Sequence, residues 1–292
     1  MHEGLKAIKT YDRVNHTDAN ASFGISRMED IYEKRKGKTD EPHRHDFYTI
    51  LIVKEAWGAH HMDFTTHELG KHQLFFIGPG QVHQLVETKK PLGFSLVFAQ
   101  SFLTLNNIAP TFISDINLFQ DFSNIPPLQM APSTFSQIEG YAEQMVSYLS
   151  TNTPFRFEAL GALLKLLLIA SHQHCSLHQL DVQTRETGGS LVRNFKAAIE
   201  SHYKQWHKTT DYAKALNITT DHLNRVVKDL TGKTAKTHIQ SRITTAGKRL
   251  LYFTDRSTKE IAYELGFLEP SNFSAFFKKC TGMSPSKFRE TA

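Results

Sequence analysis

The 292-residue chain is 40% hydrophobic and 22% charged, with a formal net charge of +5, proportions ordinary for a soluble globular protein that can bury two substantial cores or three small ones. Its two cysteines, Cys175 and Cys280, are far apart in dissimilar contexts, which excludes a disulfide framework or a zinc finger and suits a reducing cytoplasm. Residues 1–16 contain no apolar run, so no signal peptide is expected, and the most apolar stretch, Ala159 to Ala170, carries Lys165 and is too short to cross a bilayer; no membrane partner is expected and the predicted location is the cytoplasm.

The charge is unevenly placed. From Ser190 to Ala292 there are 18 Lys and Arg against 9 Asp and Glu, and the remaining residues carry 16 against 20. A basic final third on a mildly acidic body has the balance of a polyanion-binding module attached to something else.

Residues 1–125 are rich in short β-type runs: Phe47 to Val53, Gln73 to Ile77 and Gly93 to Phe98. Turn signals lie between them, Gly70-Lys71 and Gly78-Pro79-Gly80. Many short strands without intervening helices predict an antiparallel sandwich or barrel. In residues 126–175, Ser133 to Leu149 has helical periodicity, with Phe135, Ile138, Tyr141, Met145, Tyr148 and Leu149 near one face. Pro154 interrupts, and Phe157 to Ser171 forms a second, more apolar helix. This predicted helical hairpin either covers the β-domain or pairs with a second chain. Residues 176–190 read as a linker rich in His, Gln and Thr that ends in Gly188-Gly189, and residues 191–292 read as helices punctuated by turns.

That last segment contains a pseudo-repeat. Ala213 to Leu216 matches Ala262 to Leu265 at an offset of 49. Beyond the intervening turn the offset becomes 50: Leu223 matches Phe273, Val226-Val227 match Phe276-Phe277, Lys228 matches Lys278, and Thr231-Gly232 match Thr281-Gly282. A helix-turn-helix requires this layout. A small residue (Ala213, Ala262) allows two helices to cross closely, and a residue tolerant of the left-handed region (Asn217, Gly266) makes the turn. Apolar residues then turn one face of the second helix inward and leave the other for a major groove. Between the units, Thr234 to Phe253 reads as one amphipathic helix with Ile239, Ile243, Ala246, Leu250 and Leu251 buried. At about 1.5 Å per residue it spans roughly 30 Å, close to the roughly 34–36 Å of one DNA turn.

Arg242-Ile243, Ala246, Leu250-Leu251, Ile261-Ala262, Gly266-Phe267, Phe273, Phe276 to Lys278, Gly282, Ser284-Pro285 and Phe288-Arg289 together resemble the signature of the AraC/XylS family of transcription regulators, over residues 193 to the C-terminus. The resemblance implies two recognition helices in adjacent major grooves of double-stranded DNA. By position, it puts Thr220, Asp221, His222, Asn224 and Arg225 on the base-facing side of the first helix, and Pro270, Ser271, Asn272, Ser274 and Ala275 on that of the second. Lys228, Lys233, Lys278, Lys279 and Arg289 are assigned to phosphates. Arg225 suits guanine and Asn224 adenine. Ala275 stands where many relatives carry a larger polar residue, which makes the second helix the weaker reader.

Glu41 to Val53 followed by Phe76 to His83 resembles the cupin-type barrel that heads many such regulators. The implied fold is an α+β multidomain chain: a cupin-like β-barrel with a helical hairpin, then an all-α domain with two helix-turn-helix motifs. His43, His45 and His83 sit where metal-binding cupins place ligands. The carboxylate that usually completes the set would fall at Thr49 or Ile50 and is absent, so no metal or cofactor is assigned, and His43, His45, Phe47 and His83 are taken as effector-contacting residues. The other N-terminal histidines, including His60-His61, His67 and His72, read as solvent-facing strand positions. Phe75, Phe94 and Phe98 either line the barrel pocket or fill it.

The function implied is a non-enzymatic, sequence-specific regulator controlled by a small-molecule effector, often a sugar or another catabolite, working as a homodimer, with RNA polymerase as a further partner. The competing functions are a metal-dependent cupin enzyme fused to a DNA-binding module, and a regulator without a small ligand.

Overall fold

In the computed structural model, which describes residues 9–11, 22–116, 118–119, 127–174 and 188–290, the chain divides into an N-terminal unit, Lys9–His178, and a C-terminal unit that begins at Gln179. Most of the predicted linker, and Cys175, lie outside the described residues.

The N-terminal unit opens with β1 (Lys9–Tyr11), β2 (Phe23–Arg27), α1 (Met28–Lys34), β3 (His43–His45), β4 (Tyr48–Glu55) and β5 (Gly58–Met62). It continues through β6 (Thr65–Glu68), β7 (Lys71–Ile77), β8 (Val82–Glu87) and β9 (Leu92–Phe98). Short helices α2 (Gln100–Leu105) and α3 (Pro110–Ile116), strand β10 (Leu128–Gln129) and the long helices α4 (Pro132–Ser150) and α5 (Arg156–Gln173) complete it. The strands form two five-stranded sheets, ordered β1-β3-β8-β5-β6 and β10-β7-β4-β9-β2. Pairing is antiparallel except between β1 and β3.

The second sheet is covered on both faces, which is why β4 reads as an unbroken apolar run rather than an alternating one. Leu51 and Val53 of β4 join Phe75, Ile77, Met62 and Leu85 in a core between the sheets. Ile50 and Ile52 point the other way, with Phe94, Leu96 and Phe98 of β9, into a larger core built with the helices. The α4–α5 hairpin therefore covers the sheet. Phe135, Ile138, Ala142 and Met145 of α4 and Leu160, Leu164, Leu167 and Leu168 of α5 are all buried in that core. Tyr148, placed on the apolar face of α4 from periodicity, is exposed instead, because the stripe that packs runs through Ala142 and Met145. Gly161 lets α5 approach Asn106, whose side chain leaves no room for a Cβ.

The C-terminal unit consists of α6 (Gly189–His202), α7 (Thr209–Ala215), α8 (Thr220–Thr231), α9 (Ala235–Phe253), α10 (Thr258–Glu264), α11 (Pro270–Thr281) and α12 (Pro285–Arg289). The sequence repeat is a repeat of hydrogen bonds. After α7, Asn217 takes φ 54°, its N–H donates to the Lys214 carbonyl and that of Ile218 to Ala213. After α10, Gly266 takes φ 80°, its N–H donates to Tyr263 and that of Phe267 to Ala262. The second turn has one residue more before its second helix, which changes the offset from 49 to 50. Both second helices then stop on a left-handed glycine, Gly232 or Gly282, and both following helices start on a side-chain cap, Thr234 to the Thr237 N–H and Ser284 to the Lys287 N–H.

Helix α9 packs against every other helix of the unit and buries Ala235, Ile239, Ile243, Ala246, Gly247 and Leu251. Its Arg242 is buried, bonds Glu200 of α6 at 2.9 Å and lies over the Tyr203 ring at 3.9 Å. The loop after α6 meets the second turn, where a Cβ on Gly266 would come within 1.7 Å of the Lys204 carbonyl oxygen. Gly266→Ala is therefore expected to destabilise the C-terminal unit by about 3 kcal/mol, combining left-handed strain with a backbone clash. Asn217→Gly, where the native residue already tolerates the conformation, should stay within about 0.5 kcal/mol. Chemical denaturation of the two variants checks both values.

Candidate nucleic-acid interface and effector cavity

On α8, Leu223 and Val227 are buried, and Asp221, Arg225 and Lys228 form an exposed stripe at i, i+4 and i+7. On α11, Phe273 and Phe277 are buried and the stripe is Ser271, Ala275 and Lys278. The stripes occupy matching positions of the repeat, 50 residues apart, so Ala275 is the counterpart of Arg225. The helix starts are built differently. Thr219 caps α8 by accepting the His222 N–H, whereas α11 begins on Pro270 with no side-chain cap.

Arg225 lies 3.1 Å from His222 Nδ1, on the same helix face, with its guanidinium exposed. Asn224 and Thr220 are half-buried beside it. Ser274, the counterpart of Asn224, donates its hydroxyl to the Pro270 carbonyl, and Asn272 is exposed. Lys233, Lys278 and Lys279 are exposed at the C-terminal ends of the two helices. Arg289 is the exception among the cations assigned to phosphate. It donates from Nε to the Leu251 carbonyl at 3.2 Å and from the other end of its guanidinium to the Arg256 carbonyl. It closes the end of α9, because its helix packs there and the last carbonyls of α9 need donors.

Beneath the first helix-turn-helix, His238 of α9 holds the Thr231 hydroxyl at 2.8 Å. Burial, then Lys196 and Lys233, lowers its pKa to about 4. The unfolded chain, with an ordinary imidazole near 6.5, therefore binds more protons between about pH 4 and 6.5, and this site loses stability as pH falls through that window. The melting temperature of the wild type should drop more steeply from pH 7 to pH 5 than that of His238→Gln. Parallel slopes would show that His238 does not carry the effect.

In the N-terminal unit, a cavity of about 370 Å³ opens between the sheets. Alternate residues of β3, β4, β8 and β9 line it: His43 and His45, Thr49 and Leu51, His83 and Leu85, Ser95 and Val97. Helix α1 adds Met28 and Ile31, and the residue that follows it adds Arg35. Of the four phenylalanines considered for this space only Phe47 reaches it, with its ring 4.4 Å from that of His45. Phe94 and Phe98 face the helices, and Phe75 lies in the core between the sheets. Because both faces of the sheet are buried, alternation alone could not say which set of β9 faced the pocket.

The Gly78-Pro79-Gly80 corner sets His83 against His43 in the β3–β8 register, with the Gly80 N–H donating to the His45 carbonyl at 2.7 Å. His45 Nε2 is 3.1 Å from His43 Nε2 and 2.9 Å from His83 Nε2. His60, expected on a solvent-facing position, is instead fully buried, with Nε2 3.0 Å from His83 Nδ1. Strand β5 alternates His60 and Met62 inward with His61 outward, a period-2 signal present in the sequence but obscured by the neighbouring pair of histidines. Burial lowers the pKa of His60 to about 3 and that of His83 well below its ordinary value, so both rings are neutral near pH 7. Arg35, Asp40 and Glu87 also line the cavity, and Arg35 pairs with Glu87 at 2.9 Å and with Asp40 at 3.2 Å. Burial raises the Glu87 carboxyl while Arg35 opposes the shift. The Thr49 hydroxyl and Glu87 Oε2 are buried at the cavity wall without a hydrogen-bond partner.

Two family models match the chain. One, described as a helix-turn-helix domain, covers residues 212–291, and the other, described as an AraC-like ligand binding domain, covers residues 31–96. The chain is 24% identical over 258 residues to the HTH-type transcriptional activator RhaS of Enterobacter sp. (strain 638), covering 85% of this chain and 87% of that protein. It is 22% identical over 271 residues to the HTH-type transcriptional activator RhaR of Mannheimia succiniciproducens, covering 92% and 94%. Among solved structures, ToxT from Vibrio cholerae O395 is 14% identical with a TM-score of 0.40, covering 92% of this chain and 97% of that one.

Proposed function

We propose that this chain is a DNA-binding transcription regulator of the AraC type that acts as a cytoplasmic, non-enzymatic homodimer, a reading supported by both family models and by its relatives. In this reading α8 reads base sequence, α11 mainly grips the backbone, and a small polar molecule in the barrel cavity controls the outcome. The observation that carries the division of labour is the matched stripe: the first helix offers Asp221, Arg225 and Lys228, the second Ser271, Ala275 and Lys278. A guanidinium can bond two acceptors of one guanine edge, whereas an alanine methyl offers only a contact to thymine. Thr220, His222 and Asn224 flank the reading stripe, Pro270, Asn272 and Ser274 are their counterparts, and Lys233, Lys278 and Lys279 are placed for phosphates.

The cavity supports effector control because its wall carries partnerless polar atoms beside apolar side chains, the composition of a small-molecule site. A regulator without a small ligand would be expected to fill that space, yet of the phenylalanines considered only Phe47 reaches it, and Phe94 and Phe98 face the helices. Leu166 and Ile169 leave an exposed apolar stripe on α5, which favours the hairpin as the homodimer surface. RNA polymerase would be met by the assembled complex. The effector must prefer one arrangement of the dimer, and its differential affinity, typically about 1–3 kcal/mol, is all the coupling available.

Arg225→Ala should weaken binding to the cognate site by about 1–3 kcal/mol, or roughly 5–150-fold, with much less effect on random DNA. Lys278→Ala should weaken both alike and lower the slope of log affinity against log salt by about 0.9. Fluorescence anisotropy on the two DNAs at several salt concentrations measures this. Equal losses for Arg225→Ala on both DNAs would remove it as a base reader.

A further inference from the structure

We propose that His222 is a positioning residue for sequence reading: its imidazole holds the Arg225 guanidinium in place on the exposed face of α8 before DNA arrives. The inference rests on the reading that Arg225 contacts a base edge. Arg225 Nη2 lies 3.1 Å from His222 Nδ1. A guanidinium has donors and no acceptor, so Arg225 donates and Nδ1 accepts. An imidazole in this bond is neutral and carries its ring proton on Nε2.

The anchor is itself fixed from below. His222 precedes Arg225 by three residues, so the two side chains are neighbours on the helix surface. The His222 N–H donates to the Thr219 hydroxyl oxygen at 3.2 Å, the bond that caps α8. Leu223, next in the chain, is fully buried. The first turn of α8 is thus held at both its cap and its core contact, and a half-buried imidazole on it reaches an exposed arginine.

A neutral acceptor suits a residue that must meet a polyanion. Asp221 stands one turn before Arg225, at the spacing of a helical ion pair, yet among the described residues His222 is the polar partner of Arg225. A carboxylate in that role would neutralise the guanidinium and would have to give way to DNA. An imidazole lone pair orients the group and leaves its charge for the duplex. The bond occupies one N–H of Nη2, and the remaining donors are free for the two acceptors of a guanine edge. A long side chain that freezes only on docking loses rotamer freedom at that moment. One held beforehand has already lost it, so more of its contact energy appears as discrimination. The second unit lacks the pair. Its counterparts are Asn272 and Ala275, and α11 begins without a side-chain cap.

The test uses the full chain and two duplexes: the site that the wild type selects from a random library, and the same duplex with that site scrambled. Fluorescence anisotropy gives the affinity ratio between them. His222→Ala should lower the ratio about 2–10-fold, the cost of immobilising one long side chain on binding. His222→Asn, which keeps a neutral acceptor near the position of Nδ1, should recover most of that loss. His222→Lys, which puts a cation beside Arg225, should lower the ratio while strengthening binding to the scrambled duplex. It replaces His222→Ala should that variant fail to fold, judged by thermal melts. In an Arg225→Ala background His222→Ala should cost nothing further, because no guanidinium is left to position. An equal loss in both backgrounds overturns the proposal, since His222 would then act independently of Arg225, and so does an unchanged ratio for His222→Ala. Both of those outcomes leave Arg225 as a base reader. Equal losses for Arg225→Ala on the two duplexes remove that reading, and the proposal with it.

Discussion

Helix α9 has to be buried on more than one side at once, and the C-terminal unit depends on that requirement. A helix between two helix-turn-helix units cannot have one apolar stripe and one solvated face. Ile239 and Ile243 are buried along with Ala246, Gly247 and Leu251, and only the last group joins the core of the second unit. Gly247 sits against the Phe273 ring with no room to spare. Glu200 and the Tyr203 face compensate the charge of the buried Arg242. A spacer of 19 residues, about 28 Å long, follows from these contacts.

The two halves are equivalent in backbone and unequal in chemistry. The left-handed turn residue, the glycine that ends the second helix, the cap of the helix after it, and a threonine hydroxyl that donates back four residues (Thr231 to the Val227 carbonyl, Thr281 to that of Phe277) recur in both halves, because each chain end left by this packing needs its backbone groups satisfied. Nothing in that accounting constrains the outward stripe. Arg225 and Ala275 occupy matching, exposed positions of that stripe and differ in charge and size.

The N-terminal unit solves a different problem. One of its sheets is covered by helices on one side and encloses a cavity on the other, so every second residue of β4 and β9 belongs to a different environment. On the cavity side the side chains are smaller or polar, and four histidines are linked from β3 across β8 to β5. Desolvation keeps the innermost rings neutral.

By itself the sequence determined the local and repetitive features. Helical periodicity marked α4, α5 and α9 to within a residue or two of their ends, and the offset repeat located both turns because Asn217 and Gly266 are the residues that accept a positive φ. Composition and charge located the basic module. Tertiary structure alone decided which face of a doubly buried strand meets the cavity, sending Ser95 and Val97 inward and Phe94 and Phe98 toward the helices. It also drew His60 into the histidine cluster and engaged Arg289 with backbone carbonyls rather than leaving it free. The physical reason is the same in each case. Periodicity reports that a side is buried, but what it is buried against depends on elements distant in the chain, and a cation's partners depend on which carbonyls the packing leaves unsatisfied.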